Sequence, residues 1–403
     1  MTMLDMGTLF QGFSTFFAVE PKIAIFRLIL IFVGIFLVYL GAKRTLEPLI
    51  MVPMGIGMSA VNAGVLFFSA TNVGTLFIDP MMTDVTGLMS VLQIDFLQPI
   101  YTFTFSNNLI ACIVFMGIGV ITDVGFLLAY PFTSMLIAIC AEAGTILTYP
   151  IARLMGLEPA AAAAAAIVGT ADGPMVLFSS LILAPELFVP ITVIAYLYLS
   201  LTYAGYPYLV RLLVPKHLRG KKVEQTKIHN ITSREKLVFA VVANTLLCIL
   251  LPMAAPLIMS FFIGVAIRES GITPYIKMIE TTFLYAATFF LGLLLGVLCE
   301  AGTILDPRVA TILILGIIAL LISGIGGIFG GYLVYWINGK NFNPVIGIAG
   351  VSCMPTTAKI AQHEVTRENK SSFIISYAMG ATVCGVLTSA ILTALYITII
   401  PML

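Results

Sequence analysis

The stretch AAAAAAAIVGTADGPMVLFSSLIL, residues 160–183, decides the fold, because it begins and ends as an apolar helix but is broken in its middle. Gly169, Gly173 and Pro174 are residues that stop a helix, and a carboxylate, Asp172, lies among them. A carboxylate at bilayer depth costs several kcal/mol unless it is paired, hydrated or bound to an ion. The sequence therefore predicts an interrupted membrane segment with a polar site at the break.

A second stretch, Asn343–Gln362, is interrupted in a similar way by Ala349-Gly-Val-Ser-Cys-Met-Pro355. The two breaks fall in different halves of the chain. Paired interrupted segments of this kind are typical of proteins that bind an ion or substrate near the membrane midplane. We call Gly169–Pro174 the first break and Ala349–Pro355 the second break.

The composition of the whole chain requires lipid around it. Of 403 residues, 60% are hydrophobic and 10% are charged, whereas soluble domains carry roughly 45–50% and about 25%. A chain with so little charge could not cover its surface against water, but a bilayer removes that demand. The net charge of +1 and the absence of a basic, aromatic-rich patch argue against a nucleic-acid partner.

Other apolar runs approach the length of about 20 residues that spans a bilayer. They are Ile23–Leu40, Pro48–Phe68, Leu109–Ile121, Phe132–Leu154, Phe188–Val210, Leu237–Pro252, Pro256–Ile267, Phe283–Leu298, Ala310–Ile337 and Phe373–Ile400. The predicted fold is an all-α polytopic membrane protein. Within Ala310–Ile337, the stretch Gly324-Ile-Gly-Gly-Ile-Phe-Gly-Gly331 follows no strand and predicts close helix packing rather than a nucleotide loop.

The charged residues orient the chain and divide it. Seven of the twenty Lys and Arg residues lie in one polar loop, which the positive-inside rule assigns to the cytoplasm. The same rule assigns Lys43-Arg44 to the cytoplasm. Four full spans and the interrupted stretch lie between these two loops, so both loops can be cytoplasmic only if Ala160–Leu183 enters and leaves on one side, as a re-entrant hairpin. The predicted divisions are an N-terminal interfacial segment (1–22), a first membrane repeat (23–214), the basic loop (215–236) and a second membrane repeat (237–403).

Weak internal similarity predicts that these two repeats are inverted, with their interrupted segments meeting near the midplane. Pro48-Leu-Ile-Met51 recurs as Pro256-Leu-Ile-Met259, and the break at Asp172 corresponds to the break at Ser352. The first pair fits only with an insertion of about thirty residues at Ser69–Gln98. One verbatim match, Glu142-Ala-Gly-Thr-Ile-Leu147 with Glu300–Leu305, violates this order, and we interpret it as chance.

Asp123, Glu142 and Glu300 suit helix ends as well as they suit a functional site.

The residue types at the breaks favour a monovalent hard cation. Asp172 supplies one carboxylate; it could instead serve only to cap the second half-helix, and capping is compatible with ion binding. The second break supplies neutral oxygens from Asn343, Ser352 and the carbonyls around Gly347. One carboxylate with neutral oxygens suits Na+, whereas Ca2+ usually collects more carboxylates. Lys359 lies seven residues beyond Ser352, about two helical turns, where it could hold an anion or extend to the interface.

Several motifs resemble the beta subunit of sodium-translocating biotin-dependent decarboxylases over nearly the whole chain. They are Gly169-Thr-Ala-Asp-Gly-Pro174, Ala195-Tyr-Leu-Tyr198, Asn343-Pro-Val-Ile-Gly347 with Gly350-Val-Ser352 and Pro355, Ala378-Met-Gly380 with Val383 and Gly385, and Glu47-Pro-Leu with Gly55, Gly57, Met58 and Asn62. The resemblance implies a subunit of the bacterial inner membrane that decarboxylates carboxybiotin, consumes a proton and exports Na+.

The resemblance also implies the site and the partners. Asp172 would be the main Na+ and proton site, Asn343, Gly347, Ser352 and Thr382 would complete the coordination of Na+, and Tyr198 would deliver protons or bind the ion. Lys359 would contact carboxybiotin. Biotin would be carried by another chain, since this one has no Ala-Met-Lys-Met sequence. Expected partners are a carboxyltransferase (alpha) subunit, a biotin carrier and a small membrane anchor subunit, and we expect a homo-oligomer.

Two positions and one segment depart from the family. Lys359 stands where Arg is usual, Thr382 stands where Asn is usual, and Glu364–Ser372 differs from the usual polar loop. Two other functions therefore stay open at this point: a stand-alone Na+- or H+-coupled secondary transporter of a small anion, and a non-catalytic membrane anchor. The intramembrane Asp172 disfavours the anchor. Tyr196 and Tyr198 fit either an interfacial belt or the protein core.

Overall fold

The computed structural model describes residues 16–17, 19–64, 67–68, 72–73, 76, 78, 96–223 and 231–402. Most of the predicted N-terminal interfacial segment, 1–22, lies outside the described residues. So do most of the predicted insertion, Ser69–Gln98, and residues 224–230 of the basic loop.

The described chain is helical apart from one antiparallel pair of two-residue strands, β1 (Phe67–Phe68) and β2 (Asn72–Val73). The α-helices in chain order are α1 Pro21–Ala42, α2 Pro48–Gly64, α3 Gln98–Thr104, α4 Leu109–Ile121, α5 Gly125–Ala129, α6 Pro131–Ala141, α7 Ala143–Leu154, α8 Pro159–Ile167, α9 Gly173–Leu183, α10 Phe188–Leu213, α11 Lys216–Arg219, α12 Ser233–Leu250, α13 Ala255–Glu269, α14 Thr273–Lys277, α15 Leu284–Leu298, α16 Ala301–Ile304, α17 Pro307–Ile337, α18 Thr356–Glu368 and α19 Ile375–Ile399. A π-helical turn, Met278–Phe283, joins α14 to α15.

Within the described ranges, six helical segments are long and apolar enough to cross a membrane, and two bent helix pairs would raise the number to eight. The six are Pro21–Ala42, Pro131–Leu154, Pro252–Glu269, Thr273–Leu298, Pro307–Ile337 and Ile375–Met402. The all-α polytopic prediction is confirmed.

Proline begins many of these helices. Pro21, Pro48, Pro131, Pro159 and Pro307 are each the first residue of a helix, where the missing amide hydrogen is not needed and the fixed φ already suits the helix. This chemistry explains why the predicted helix starts lie within a few residues of the observed ones.

The chain divides into two compact units. The first contains Met1–Ile110, Pro185–Val193 and Tyr285–Ala310, and the second contains Ala111–Ala184, Ile194–Leu284 and Thr311–Leu403. In the first unit, α1 and α2 pack closely at two small residues, since a Cβ on Gly34 would lie 2.6 Å from the carbonyl oxygen of Gly55. Both breaks belong to the second unit, in which α19 packs against α6. The inverted relation of the two predicted repeats stays a prediction.

Candidate functional site

The first break follows a buried alanine-rich half-helix, α8. A short 3-10 turn, Val168–Thr170, follows it, and then Ala171 adopts the left-handed conformation at φ 55°. The half-helix α9 begins immediately after Asp172 and contacts α8, as a hairpin requires. The absence of a side chain at Gly169 is required by close packing, because a Cβ there would lie 2.8 Å from backbone atoms of Gly144.

Asp172 has one engaged oxygen and one unengaged oxygen. Its side chain is the N-cap of α9, with Oδ1 accepting a hydrogen bond from the Met175 amide at 3.3 Å. The residue is only 4% exposed, and Oδ2 has no hydrogen-bond partner among the described residues. The capping interpretation is therefore confirmed, and a second, buried carboxylate oxygen remains available to a ligand.

The second break has a different local structure. A 3-10 helix, Pro344–Gly350, leads into extended backbone at Val351, the Met354–Pro355 peptide bond is cis, and α18 begins at Thr356. The whole 3-10 helix is buried. The predicted interruption is thus confirmed, although the flanking elements are a 3-10 helix and a polar α-helix rather than two apolar half-helices.

The two breaks meet through Ser352. Its Oγ donates to the carbonyl oxygen of Thr170 in the first break at 2.5 Å, and it lies 2.9 Å from the Oγ of Ser389 on α19. Thr170 is two residues before Asp172, and its own Oγ1 accepts from the Asp172 amide at 3.2 Å. The prediction that the interrupted segments meet is confirmed at these atoms.

Gly347 and Thr382 shape the second break. The backbone of Gly347 packs directly against Gly327 and Gly331 of α17, where there is no room for a Cβ on either side. The predicted packing role of the glycine-rich run is therefore confirmed. Thr382 Oγ1 lies 2.8 Å from the Ala349 carbonyl oxygen and 2.9 Å from that of Ala378. A hydroxyl at this position thus contacts the backbone of the second break.

Asn343 connects the second break to the basic loop. Its Nδ2 donates to the carbonyl oxygens of Arg219 and Lys221 at 3.0 and 2.9 Å. Its Oδ1 accepts from the Val345 amide at 3.0 Å, which caps the 3-10 helix. In the described part of the chain none of its hydrogen bonds reaches the first break, so coordination of Na+ by Asn343 stays a prediction.

The two tyrosines of α10 have different surroundings. Tyr198 Oη donates to the Leu313 carbonyl oxygen at 2.6 Å. The ring of Tyr196 lies over Gly173, directly after Asp172, and its buried Oη has no partner among the described residues. Sequence reasoning selected Tyr198, whereas the tyrosine at the first break is Tyr196. Both side chains are core residues rather than belt residues.

Lys359 is exposed, and no ion pair joins it to another described residue. The spacing of two helical turns between Ser352 and Lys359 does not apply, because α18 begins only at Thr356. Its contact with carboxybiotin stays a prediction.

The divergent segment Glu364–Ser372 holds the last turn of α10 and the basic loop. Arg211 donates twice to Glu364, at 2.7 and 2.6 Å, and Arg219 pairs with Glu368 at 3.2 Å. Burial opposes ionisation of Glu364, but the hydrogen bonds and charge of Arg211 outweigh it and lower the pKa of that carboxyl. Asn369 and Ser372 donate to loop carbonyls as well.

Sequence reasoning did not select Glu142, which lies between α6 and α7 and is 6% exposed. Its Oε1 lies 2.5 Å from Ser389 Oγ, within hydrogen-bond distance, and its Oε2 accepts from Thr145 Oγ1 at 3.0 Å. Ser389 is the same residue that contacts Ser352. The signal for Glu142 was a carboxylate inside an apolar run, the signal that identified Asp172.

Comparison with known proteins identifies the family of this chain. The model of the Na+-transporting oxaloacetate decarboxylase beta subunit matches residues 26–400. The chain belongs to this family. The carboxybiotin decarboxylase of Malonomonas rubra is 58% identical over 395 residues, which cover 98% of each chain.

More distant family members carry other names. The probable oxaloacetate decarboxylase beta chain of Vibrio cholerae is 31% identical, over 90% of this chain and 93% of that one. The methylmalonyl-CoA decarboxylase subunit beta of Veillonella parvula is 30% identical over 90% of each chain. The resemblance stated from the motifs is confirmed, and this family member is a multi-pass protein of a bacterial cell membrane.

Proposed function

We propose that this chain decarboxylates carboxybiotin and couples that reaction to the export of Na+. The observation that best supports this proposal is the buried Oδ2 of Asp172, which has no hydrogen-bond partner in the described chain. Asp172 belongs to the first break, which contacts the second break through Thr170 and Ser352. Membership in a Na+-transporting decarboxylase family supports the same activity.

The reaction needs a proton, and the site can supply one. In carboxybiotin the bond between the ring nitrogen and the carboxylate carbon breaks, CO2 leaves, and the electron pair stays on nitrogen, which then takes a proton. Burial favours the neutral form of Asp172, whereas a bound cation favours its ionised form. Na+ that binds at Asp172 therefore displaces the proton that decarboxylation consumes.

The predicted Na+ ligands and Lys359 each have a role in this proposal. Asp172 Oδ2 and Ser352 Oγ are the Na+ ligands that the geometry supports best, because they belong to two breaks in contact. Thr382 and Gly347 hold the second break in shape, and their oxygens complete the coordination together with Asn343. Lys359 is exposed to an incoming carboxylate. Na+ is the transported ion.

The partners belong to the proposal too. Biotin arrives on a separate carrier subunit, loaded by a carboxyltransferase (alpha) subunit. A small membrane anchor subunit and further copies of this chain complete the complex. The basic loop, which the positive-inside rule assigns to the cytoplasm, is held by Asn343 before the second break and by Glu368 after it.

The deciding experiment uses chemically prepared carboxybiotin. We expect the purified complex in liposomes to release CO2 from carboxybiotin only when Na+ is present and to take up radioactive Na+ at the same time. Isolation of the chain alone, with Na+-dependent uptake of a small anion and no turnover of carboxybiotin, would instead establish the secondary transporter.

The two tyrosines give a matched pair of variants. Tyr196→Phe and Tyr198→Phe should both slow carboxybiotin turnover if the hydroxyls serve the site. Only Tyr198→Phe should also lower stability, by roughly 0.5–1.5 kcal/mol, because it removes the hydrogen bond to Leu313. Turnover and thermal unfolding of both variants test this. Unchanged turnover in Tyr198→Phe would remove that residue from the site.

Lys359→Arg should retain activity, or raise it, if Lys359 occupies the arginine position of the family. Arginine keeps the charge and adds a planar fork that can bind a carboxylate through two hydrogen bonds. The KM for carboxybiotin measures the effect, with Lys277→Arg as the control on a helix outside the breaks. Complete loss of activity would indicate a function that only lysine can perform.

A further inference from the structure

Glu142 is a second buried carboxyl group close to the breaks, and the proposed function does not use it. No Lys, Arg or His forms an ion pair with it among the described residues. Its hydrogen-bond partners are the hydroxyls of Ser389, Thr145 and Thr388. The titratable groups that interact with it electrostatically are Asp172 in the first break and Tyr396 on α19, and neither is a cation.

A continuous chain of oxygen atoms connects Glu142 to the first break. Glu142 Oε1 lies 2.5 Å from Ser389 Oγ, Ser389 Oγ lies 2.9 Å from Ser352 Oγ, and Ser352 Oγ lies 2.5 Å from the Thr170 carbonyl oxygen. All three distances are hydrogen-bond distances between oxygens. Each contact therefore needs one hydrogen atom.

The hydroxyls of the two serines supply only two hydrogens for these three contacts. The Thr170 carbonyl can only accept, so Ser352 donates to it. Ser389 must then donate to Ser352, and the contact between Ser389 and Glu142 requires a hydrogen on Glu142 itself. The arrangement of donors is complete only when Glu142 is a protonated carboxylic acid.

A cation at the breaks reverses these requirements. Na+ bound to Ser352 Oγ and the Thr170 carbonyl oxygen takes lone pairs of both atoms, so their mutual hydrogen bond is lost. Ser352 then has to direct its hydrogen away from the cation, toward Ser389. Ser389 in turn donates to Glu142, which can accept in this position only as a carboxylate.

We propose that Glu142 is protonated when the site is free of Na+ and releases its proton to water when Na+ binds, with Ser389 and Ser352 transmitting the change. The step balances: Na+ enters, the O–H bond of Glu142 breaks, and H+ leaves. Glu142 is thus a positioning residue that acts through Ser389, and it provides a second proton linked to Na+ binding besides that of Asp172. This inference rests on the proposed Na+ site.

The experiment measures Na+ affinity as a function of pH for the purified complex. Each proton displaced by Na+ changes the affinity by up to tenfold per pH unit, and the affinity rises with pH because protons compete with the ion. We expect Glu142→Gln to reduce this dependence by up to tenfold per pH unit while Na+ still binds. Ser389→Ala should have the same effect, and it serves as the test if Glu142→Gln does not assemble.

The control is Thr393→Val, which removes a buried hydroxyl from the same helix, one turn beyond Ser389 and outside the oxygen chain. It should keep the pH dependence of the unmodified complex. Infrared difference spectra with and without Na+ give an independent readout. Addition of Na+ should remove two protonated carboxyl bands in the unmodified complex, those of Asp172 and Glu142, and only the Asp172 band in Glu142→Gln.

The possible outcomes separate the two proposals. If the unmodified complex does not bind Na+, the proposed function itself fails. If it binds Na+, if Glu142→Gln and Ser389→Ala keep the full pH dependence, and if Glu142→Gln still loses two carboxyl bands on Na+ addition, the role of Glu142 is refuted while the Na+ site stands.

Discussion

Asp172→Asn is expected to abolish Na+ transport and carboxybiotin turnover together. The amide cannot ionise, so it neither gives up a proton nor offers a negative charge to Na+. Asparagine is also a good N-cap, so the hydrogen bond to the Met175 amide and the start of α9 should be kept. A complete loss of both activities in a protein that still folds and assembles would assign both to this one carboxylate.

The measurement is carboxybiotin turnover and Na+ uptake in liposomes containing the variant complex. Asp306→Asn is the matched control, because Asp306 also lies before a membrane helix but pairs with the exposed side chain of Arg308. That control should behave as the unmodified protein does. Na+-dependent turnover that persists in Asp172→Asn would refute the role of Asp172.

Gly347→Ala is the second variant for which we expect a large effect. A Cβ at Gly347 would clash with the Gly327 carbonyl group and would lie 2.9 Å from the Gly331 amide nitrogen. Both contacts are to backbone, so neither can be relieved by rotation of a side chain. Overpacking of this kind costs about 1–3 kcal/mol or more, and here it would move the second break away from the first.

The expected result is loss of Na+-dependent turnover together with a lowered melting temperature. Gly205→Ala provides the control, because a Cβ there would meet nothing within 4 Å. Alanine in that helical position should be neutral or stabilising, by up to about 1 kcal/mol. Full activity of Gly347→Ala would mean that the close approach of the second break to α17 is not required.

The spans and the breaks could be predicted because their causes are local. Leu109–Ile121 was predicted with its observed ends, and the first break was predicted because Gly169 and Pro174 stop a helix wherever they lie. The contact between Ser352 and Thr170 required only that the two breaks face one another, which the pairing of interrupted segments indicated.

The remainder of the site depends on tertiary packing. The hexapeptide Glu-Ala-Gly-Thr-Ile-Leu occurs twice, and the same residues do different things. Glu300 caps the short helix α16 by accepting from the amides of Gly302 and Thr303. Glu142 instead makes a hydrogen-bond contact with a serine hydroxyl contributed by another helix. No local pattern distinguishes these two carboxylates, and none distinguishes Tyr196 from Tyr198, which lie on one helix two residues apart.

The left-handed Ala171 has a consequence for how quickly the site can work. A residue with a Cβ in this conformation is less stable by roughly 1–2 kcal/mol, and it follows seven alanines, the residue with the highest helix propensity. The sequence before the break therefore tends to continue as a helix. The packing of Gly169 on Gly144 and the cap at Asp172 overcome that tendency and keep the break formed in the folded protein. The free energy that opens the helix is supplied once, when the protein folds, rather than by the ion in every turnover.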